Sequence, residues 1–154
     1  MYRPLWSEYI LAEMARAMET KLNRTAKETS HKRQEMNKAF PEAMVTAPES
    51  LARSLNGIPD EGDRPVLAAA IMARANIVVT QNTKHFPKDY MDEYGILCHT
   101  ADDFLVHQYH LCEQLVLDKL EDQAAGISRN RAFVIQSLRN AAPCFAKLME
   151  EYTL

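Results

Sequence analysis

The fold is decided by two neighbouring stretches of the chain, GDRPVLAAAIMARA at residues 62–75 and NIVVT at residues 76–80. In the first stretch, Asp63 is placed to be an N-cap and Pro65 falls in the first helical turn, where its missing N–H is not needed. The small and apolar residues that follow predict a helix over residues 66–75 that is buried on most sides. The second stretch is β-branched without polar alternation, which predicts a strand covered on both faces.

The same alternation of elements continues along the chain. A helix over residues 87–94 and a second short strand over residues 95–98 complete a series that is typical of a parallel sheet in an α/β fold. Upstream, Ser7 is a good N-cap for an amphipathic helix that ends near Leu22. The remaining predicted elements are a helix over 26–39, a strand over 43–46, a helical turn over 50–55 and, from residue 101 onward, helices interrupted near residues 126–128 and at Pro143.

The composition is that of an ordinary globular domain. The 154 residues are 47% hydrophobic and 25% charged, which disfavours disordered, collagen and coiled-coil proteins. Only 4 glycines are present, too few for a fold with many tight hairpins. No apolar run is long enough for a membrane span and no signal peptide begins the chain, so we expect a cytoplasmic protein without membrane contact. Three distant cysteines without a CxxC pair are expected to be buried, reduced thiols.

The charges are unevenly distributed, although the net charge is only −3. Residues 16–38 hold seven basic side chains against three acidic ones, whereas residues 89–122 hold nine acidic side chains against one basic. Such asymmetry suits a protein that binds a phosphate backbone on one face. Two solvated helical surfaces would produce the same pattern.

Several acidic and polar residues could carry chemistry. Asp60 and Asp63 lie at the start of a buried helix, close to the strand ends where ligands bind in open parallel sheets, although Asp63 could simply cap that helix. Glu13 lies beside the apolar stripe of the first helix, where a carboxylate needs a partner, a cation or a position at the rim. The polar run at residues 80–86 follows the buried strand toward the same crevice.

A transition-metal site on the acidic helix is an alternative. His107 and His110 follow Asp103 at helical spacing and could chelate a metal with it, but surface histidines would have the same spacing. Glycine-rich phosphate loops and the GxSxG motif are absent from the sequence, so nucleotide-binding and serine-hydrolase functions have no support.

Two segments, IPDEGDRPVLAAA at residues 58–70 and ANIVVTQNTKHFP at residues 75–87, resemble the PIN-domain family of metal-dependent ribonucleases, in the branch of VapC-type bacterial toxins. LWSEYILAEM at residues 5–14 resembles the early acidic helix of that family. The likeness covers about residues 4–106. It implies a three-layer α/β/α fold with a parallel sheet, in which residues 1–106 form the PIN-like domain and residues 107–154 a C-terminal helical extension.

The resemblance also implies an endoribonuclease in which a few acids hold Mg²⁺ or Mn²⁺, so that a water is activated and charge on the scissile phosphate is stabilised. Carried over residue by residue, Glu13 and Asp63 are the metal ligands, and Asn82 is the third catalytic residue. Thr80 and His85 are expected to support them. The RNA backbone would be guided by five basic residues, Arg24, Lys32, Arg33, Arg64 and Lys84.

Two departures from the family pattern change these expectations. The family begins with a buried strand ending in a metal-binding aspartate, whereas this chain starts at the acidic helix. His85 stands where the family usually has an acid, which removes one anionic group from the site. We therefore expect a sheet that is incomplete at the N-terminus, weak metal binding, and weak or absent catalysis. Residues 77–80 would then have an unpaired strand edge that another segment or chain must fill.

Two functions follow as hypotheses. The first is a metal-dependent endoribonuclease of toxin-antitoxin type, with RNA as substrate and an antitoxin protein that inserts a basic side chain into the acidic pocket. The alternative is a non-catalytic PIN remnant that acts as a protein-binding module, as a homodimer or with a strand-completing partner. A truncated reading frame without a selected role also stays open at this point.

Overall fold

The computed structural model describes residues 2–152, and most of them are helical. The helices are α1 (Glu8–Lys21), α2 (Ala26–Ala39), α3 (Glu49–Ser54), α4 (Arg64–Met72), α5 (Lys88–Asp92), α6 (Ala101–Leu111), α7 (Glu113–Gly126), α8 (Arg131–Leu138) and α9 (Pro143–Glu151). A short 3₁₀ helix (Thr83–His85) lies between strands β1 (Ile77–Val79) and β2 (Leu97–His99). None of the helices in the described range is both long and apolar enough to cross a membrane.

The chain forms two compact units. The first unit comprises Tyr2–Val78 and Lys84–Cys98, and the second comprises Val79–Thr83 together with the described residues 99–152. The division into residues 1–106 and 107–154 stays a prediction.

Side-chain caps define the first two helices. The Ser7 hydroxyl accepts the N–H of Ile10 at 3.3 Å, and Leu22 is the C-cap of α1. Thr25 and Glu28 bond reciprocally at the start of α2. The bounds predicted for α1 and α2 are therefore confirmed, since both depended on local capping and periodicity.

The strand predicted over residues 43–46 is wrong. Met44 forms only an isolated parallel bridge with Trp6, in which the Trp6 N–H donates to Ala43 O and the Val45 N–H donates to Trp6 O. The pairing cannot lengthen because Ser7, the next residue after Trp6, already caps α1.

The larger core of the first unit surrounds α4. Its buried members are Leu55, Ile58, Leu67, Ala68, Ala70, Val78, Phe86, Met91 and Ile96. The helix ends at Met72, earlier than predicted, and Arg74 just beyond it adopts a φ of 52° in the left-handed region. The prediction that α4 is buried on most sides is confirmed by the full burial of residues 67–70.

The sheet contains two short parallel strands. The Leu97 N–H donates to Asn76 O and the Thr80 N–H donates to His99 O, so pairing advances in the same direction along both strands. The prediction that β1 is covered on both faces is wrong, because Val78 is buried whereas Val79 is 46% exposed. Successive side chains of a strand point to opposite faces, so only one face of β1 is fully covered. The α/β class is confirmed, and the three-layer arrangement stays a prediction.

The second unit is built mainly from helices α6 to α9. Their shared core contains the buried residues Tyr109, Leu120, Ala124, Val134, Ile135, Ala142, Phe145, Ala146 and Met149. The predicted interruptions are confirmed, since α7 ends at Gly126 and Pro143 occupies the first turn of α9.

The three cysteines are free thiols, as predicted, but they are not all buried. Cys98 in β2 is half-buried, whereas Cys112 and Cys144 are exposed. Cys112 lies at the break between α6 and α7, and Cys144 lies in the first turn of α9. At these helix ends the place of the residue in the fold, and not the apolar character of the thiol, determines whether the side chain is exposed.

Candidate metal centre

The site is built on a tight loop that leads into α4, here called the acidic loop (residues 58–63). Asp60 Oδ1 accepts the N–H of Gly62 at 2.8 Å, and Asp60 O accepts the N–H of Asp63 at 3.1 Å. An aspartate that bonds the backbone two residues ahead is the usual stabilising device of such a turn. The turn thus presents two carboxylates, three residues apart, at the entrance of a buried helix.

Asp63 occupies the predicted N-cap position of α4, but its carboxylate does not cap the helix. Its backbone has φ −90° and ψ −15°, and its side chain accepts no cap hydrogen bond. Capping is therefore not the role of this carboxylate. Because Pro65 has no N–H, the first turn of α4 has one donor fewer that would need a cap.

The carboxylate of Asp63 instead faces His85, 22 residues further along the chain. His85 Nδ1 lies 2.7 Å from Asp63 Oδ2 and 3.9 Å from Asp60 Oδ2. The side chains of Asp60, Asp63 and His85 are 53%, 20% and 37% exposed, so solvent and ions reach them. We call these three residues the Asp-Asp-His cluster.

The Asp-Asp-His cluster has the donor set of a divalent-cation site. One ligand atom from each residue lies within 4.8 Å of the others. Carboxylate oxygens and an imidazole nitrogen are ligands of divalent cations in proteins, and their spacing allows all three to face one ion. Within the described part of the chain, no other group of three or more His, Cys, Asp and Glu side chains brings its ligand atoms this close together.

Tyr9 connects α1 to the acidic loop. Its hydroxyl donates to Gly62 O at 2.8 Å, and a Cβ atom at Gly62 would lie only 3.4 Å from that hydroxyl oxygen. Burial raises the pKa of the Tyr9 phenol, and the nearby carboxylates of Glu13, Asp63 and Asp60 raise it further. The phenol therefore stays protonated and lies within the field of all three carboxylates.

Glu13 is close to this region but does not belong to the cluster. Its carboxylate pairs with Arg16 at 2.7 Å, one helical turn away on α1. Glu13 follows Tyr9 by four residues on α1, so the two side chains share one face of that helix. The role of Glu13 as a metal ligand stays a prediction.

Thr80 and Asn82 belong to the second unit. The Asn82 N–H donates to Thr80 Oγ1 at 3.1 Å, so the threonine hydroxyl stabilises the turn that follows β1. Their catalytic and supporting roles stay predictions.

The five predicted RNA-binding side chains fall into two groups. Arg24 pairs with Glu28, and Arg33 pairs with Glu8. Arg64 is only 18% exposed and donates to Ile58 O in the acidic loop. By contrast, the other two of these five residues, Lys32 and Lys84, are exposed and have no ion pair within residues 2–152.

The alternative metal site on α6 does not form. The Asp103 carboxylate is used in the reciprocal cap with Thr100, and the His107 ring stacks on His99 at 5.0 Å between centroids. The ring of His110 lies against Tyr109. The three predicted ligands are therefore turned toward different neighbours.

The PIN domain family matches residues 1–84, which is more than half of the 154 residues. The chain belongs to the PIN domain family. This PIN domain includes Tyr9, Glu13 and the acidic loop, and the match ends one residue before His85. A curated relative, named "Putative ribonuclease VapC50", from Mycobacterium tuberculosis, is 50% identical over 52 residues. The aligned segment covers 34% of this chain, and the chain spans about a third, 31%, of the length of that relative. No solved structure matches the chain.

Two members of this site were missed by sequence reasoning. Asp60 was singled out as an acid but not as a ligand, although Asp60-Glu61-Gly62 has the pattern of a turn closed by an aspartate. No local pattern in the sequence indicates a role for Tyr9, because its contact to Gly62 joins residues that are 53 positions apart.

Proposed function

We propose that this PIN domain is a divalent-metal-dependent endoribonuclease of toxin-antitoxin type. The observation that carries the proposal is the Asp63 carboxylate, which is freed from helix capping and faces both His85 and the solvent. A relative whose name describes a ribonuclease supports RNA as the substrate.

Asp60, Asp63 and His85 would hold the ion, with Glu13 on the adjacent face of α1. A bound Mg²⁺ or Mn²⁺ supplies a polarised water and neutralises charge that develops on the scissile phosphodiester. Tyr9 keeps the acidic loop on α1, and Lys84 offers a cation one residue from His85 where a phosphate would arrive. Thr80 and Asn82 are proposed to support the site.

We also propose that the activity is weak. The cluster offers two carboxylates and an imidazole, so it carries less negative charge than a site of three or four acids. Lower charge gives a divalent cation less electrostatic stabilisation and leaves the site partly empty at ordinary ion concentrations.

Cleavage of a labelled RNA with Mn²⁺, with and without EDTA, tests the proposal. We expect EDTA-sensitive cleavage that Asp63→Asn lowers by at least about 100-fold, because a metal ligand of the reaction centre is lost. Asp89→Asn is the matched control, since Asp89 is exposed in the first turn of α5 and should leave the rate unchanged. Equal rates for all three proteins, or cleavage that resists EDTA, would exclude the proposed nuclease.

A second candidate function, a binding module, is favoured by one observation. In the described range β1 pairs only with β2, which leaves its other edge without a strand neighbour. Unpaired strand edges accept strands from other chains. An antitoxin, a strand-completing partner or a second copy in a homodimer would fit, and a cytoplasmic location stays part of this proposal.

Light scattering after size exclusion, with Mn²⁺ titration by calorimetry, separates the two functions. A stable dimer that binds no metal favours the binding module. A species that takes up metal favours the nuclease.

A further inference from the structure

We infer that His85 is a direct metal ligand and that its nitrogen makes the centre prefer a first-row transition dication to Mg²⁺. The inference rests on the proposed metal site and specifies the class of ion that it takes. The match to the PIN domain family ends at residue 84, so it assigns no metal-binding role to His85.

The position of His85 supports direct ligation. Its Nδ1 atom is 2.7 Å from Asp63 Oδ2 and 3.9 Å from Asp60 Oδ2. Around a six-coordinate ion with ligand distances near 2.1 Å, neighbouring ligand atoms lie about 3 Å apart and opposite ones about 4 Å apart. Small side-chain rotations would therefore place all three atoms on one ion.

Three protein donors fill only three positions of a six-coordinate ion, which leaves the remaining coordination positions open. The exposed fractions of the cluster's side chains, 20% for Asp63 and more for the other two, leave room for waters and a phosphate oxygen on the open side. This is the arrangement that a hydrolytic centre needs, since substrate and water must both reach the ion.

Nitrogen ligation changes which ion is favoured. Mg²⁺ prefers oxygen ligands, and imidazole suits transition metals better. For a given mixed site, affinity rises from Mn²⁺ to Co²⁺ in the usual order of divalent ions. We therefore expect affinities in the order Co²⁺, then Mn²⁺, then Mg²⁺.

In this arrangement the metal would bind Nδ1, the same atom of His85 that lies 2.7 Å from Asp63 Oδ2. Nδ1 cannot bond Asp63 Oδ2 and bind an ion at once, so metal uptake must replace that contact. This replacement of the hydrogen bond by a metal ligand at Nδ1 can be detected by spectroscopy, without any measurement of RNA cleavage.

The experiment is calorimetric titration of the full chain with Mg²⁺, Mn²⁺ and Co²⁺ separately. Wild type should bind Co²⁺ and Mn²⁺ at least about tenfold more tightly than Mg²⁺, and His85→Asp should remove most of that preference because all donors are then oxygens. His31→Ala is the matched control, since His31 is exposed on α2, and it should behave as wild type. Circular dichroism checks that each variant is folded.

Pulsed EPR of bound Mn²⁺ provides the second readout. Coupling to ¹⁴N is expected in wild type and in His31→Ala, and should be absent in His85→Asp. Equal affinity for Mg²⁺ and Mn²⁺, absence of ¹⁴N coupling, or no metal uptake at all would overturn the inference. Failure of RNA cleavage with an intact metal preference would instead count against the proposed function alone.

Discussion

The hydroxyl of Tyr9 donates a 2.8 Å hydrogen bond to the carbonyl oxygen of Gly62. It joins the first turn of α1 to the acidic loop, in which the N–H of the same Gly62 bonds Asp60. The carbonyl oxygen of Gly62 is thus bonded to Tyr9, and the N–H of Gly62 is bonded to Asp60. The contact keeps the loop that carries Asp60 and Asp63 beside the helix that carries Glu13.

Tyr9→Phe should loosen the acidic loop without unfolding the chain. Loss of one partly exposed hydrogen bond costs about 0.5–1 kcal/mol, so the melting temperature should fall only slightly. Affinity for Mn²⁺ should fall severalfold, because the carboxylates must be ordered when the ion binds. Tyr94→Phe removes a comparable hydroxyl contact, the one to Tyr90, and should leave Mn²⁺ affinity unchanged. Equal Mn²⁺ affinity in both variants would argue against a positioning role for Tyr9.

Among the five predicted RNA-binding residues, Lys32 and Lys84 should contribute most to RNA binding, because both are exposed and have no ion pair within residues 2–152. Lys32→Gln and Lys84→Gln should each weaken RNA binding and reduce the salt dependence of the logarithm of affinity by about 0.7 per lysine. Arg24→Gln is the comparison, because that guanidinium already pairs with Glu28 and should contribute less. Fluorescence anisotropy at several salt concentrations measures both quantities. A larger effect of Arg24→Gln than of either lysine variant would contradict this assignment.

Gly57 is required by the ring of Tyr90. A Cβ atom at Gly57 would lie 2.3 to 2.5 Å from three atoms of that ring, closer than any real contact. Gly57→Ala should therefore destabilise the chain by about 1–3 kcal/mol through overpacking. Gly126→Ala is the control, since no atom lies within 4 Å of its Cβ position and alanine favours helices. Urea unfolding should rank Gly57→Ala below wild type and Gly126→Ala at or above it.

Asp102 should make the second unit sensitive to acid. Its carboxylate accepts the N–H groups of Phe145 at 2.8 Å and Cys144 at 3.0 Å, and so caps the start of α9. Partial burial raises the pKa of Asp102, but these backbone hydrogen bonds outweigh that effect and hold the pKa below its ordinary value of 3.8. Since the folded-state pKa is depressed, the stabilisation is present above the ordinary value and is lost as the pH falls through the depressed one.

Asp102→Asn should lower the free energy of unfolding at neutral pH by about 1 kcal/mol, as expected for loss of a charged helix cap. The difference from wild type should shrink in acid, where wild-type Asp102 is itself protonated. Asp122→Asn, which breaks a surface ion pair with Lys119, should have little effect at any pH. A difference between Asp102→Asn and wild type that is constant with pH would show that the ionised cap is not responsible.

Much of this protein follows from its sequence, because the deciding signals are local. Ser7 as a cap, Pro65 in a first turn and the break at Pro143 each act within a few residues, and the structure has them where capping and proline geometry require. The VapC-like PIN family could also be predicted, because its motifs are continuous stretches of chain.

The tertiary structure decided what the side chains contact. Asp63 could equally have capped α4, and only the folded chain brings His85 within 2.7 Å of it. Val79 was expected to be buried like Val78, because a β-branched run without polar alternation is typical of a strand covered on both faces, but the packing of the chain covers Val78 and leaves Val79 46% exposed. Periodicity and capping depend on neighbours in the chain, whereas the ligand set of a cation depends on which distant segments meet, and that is determined only when the core has packed.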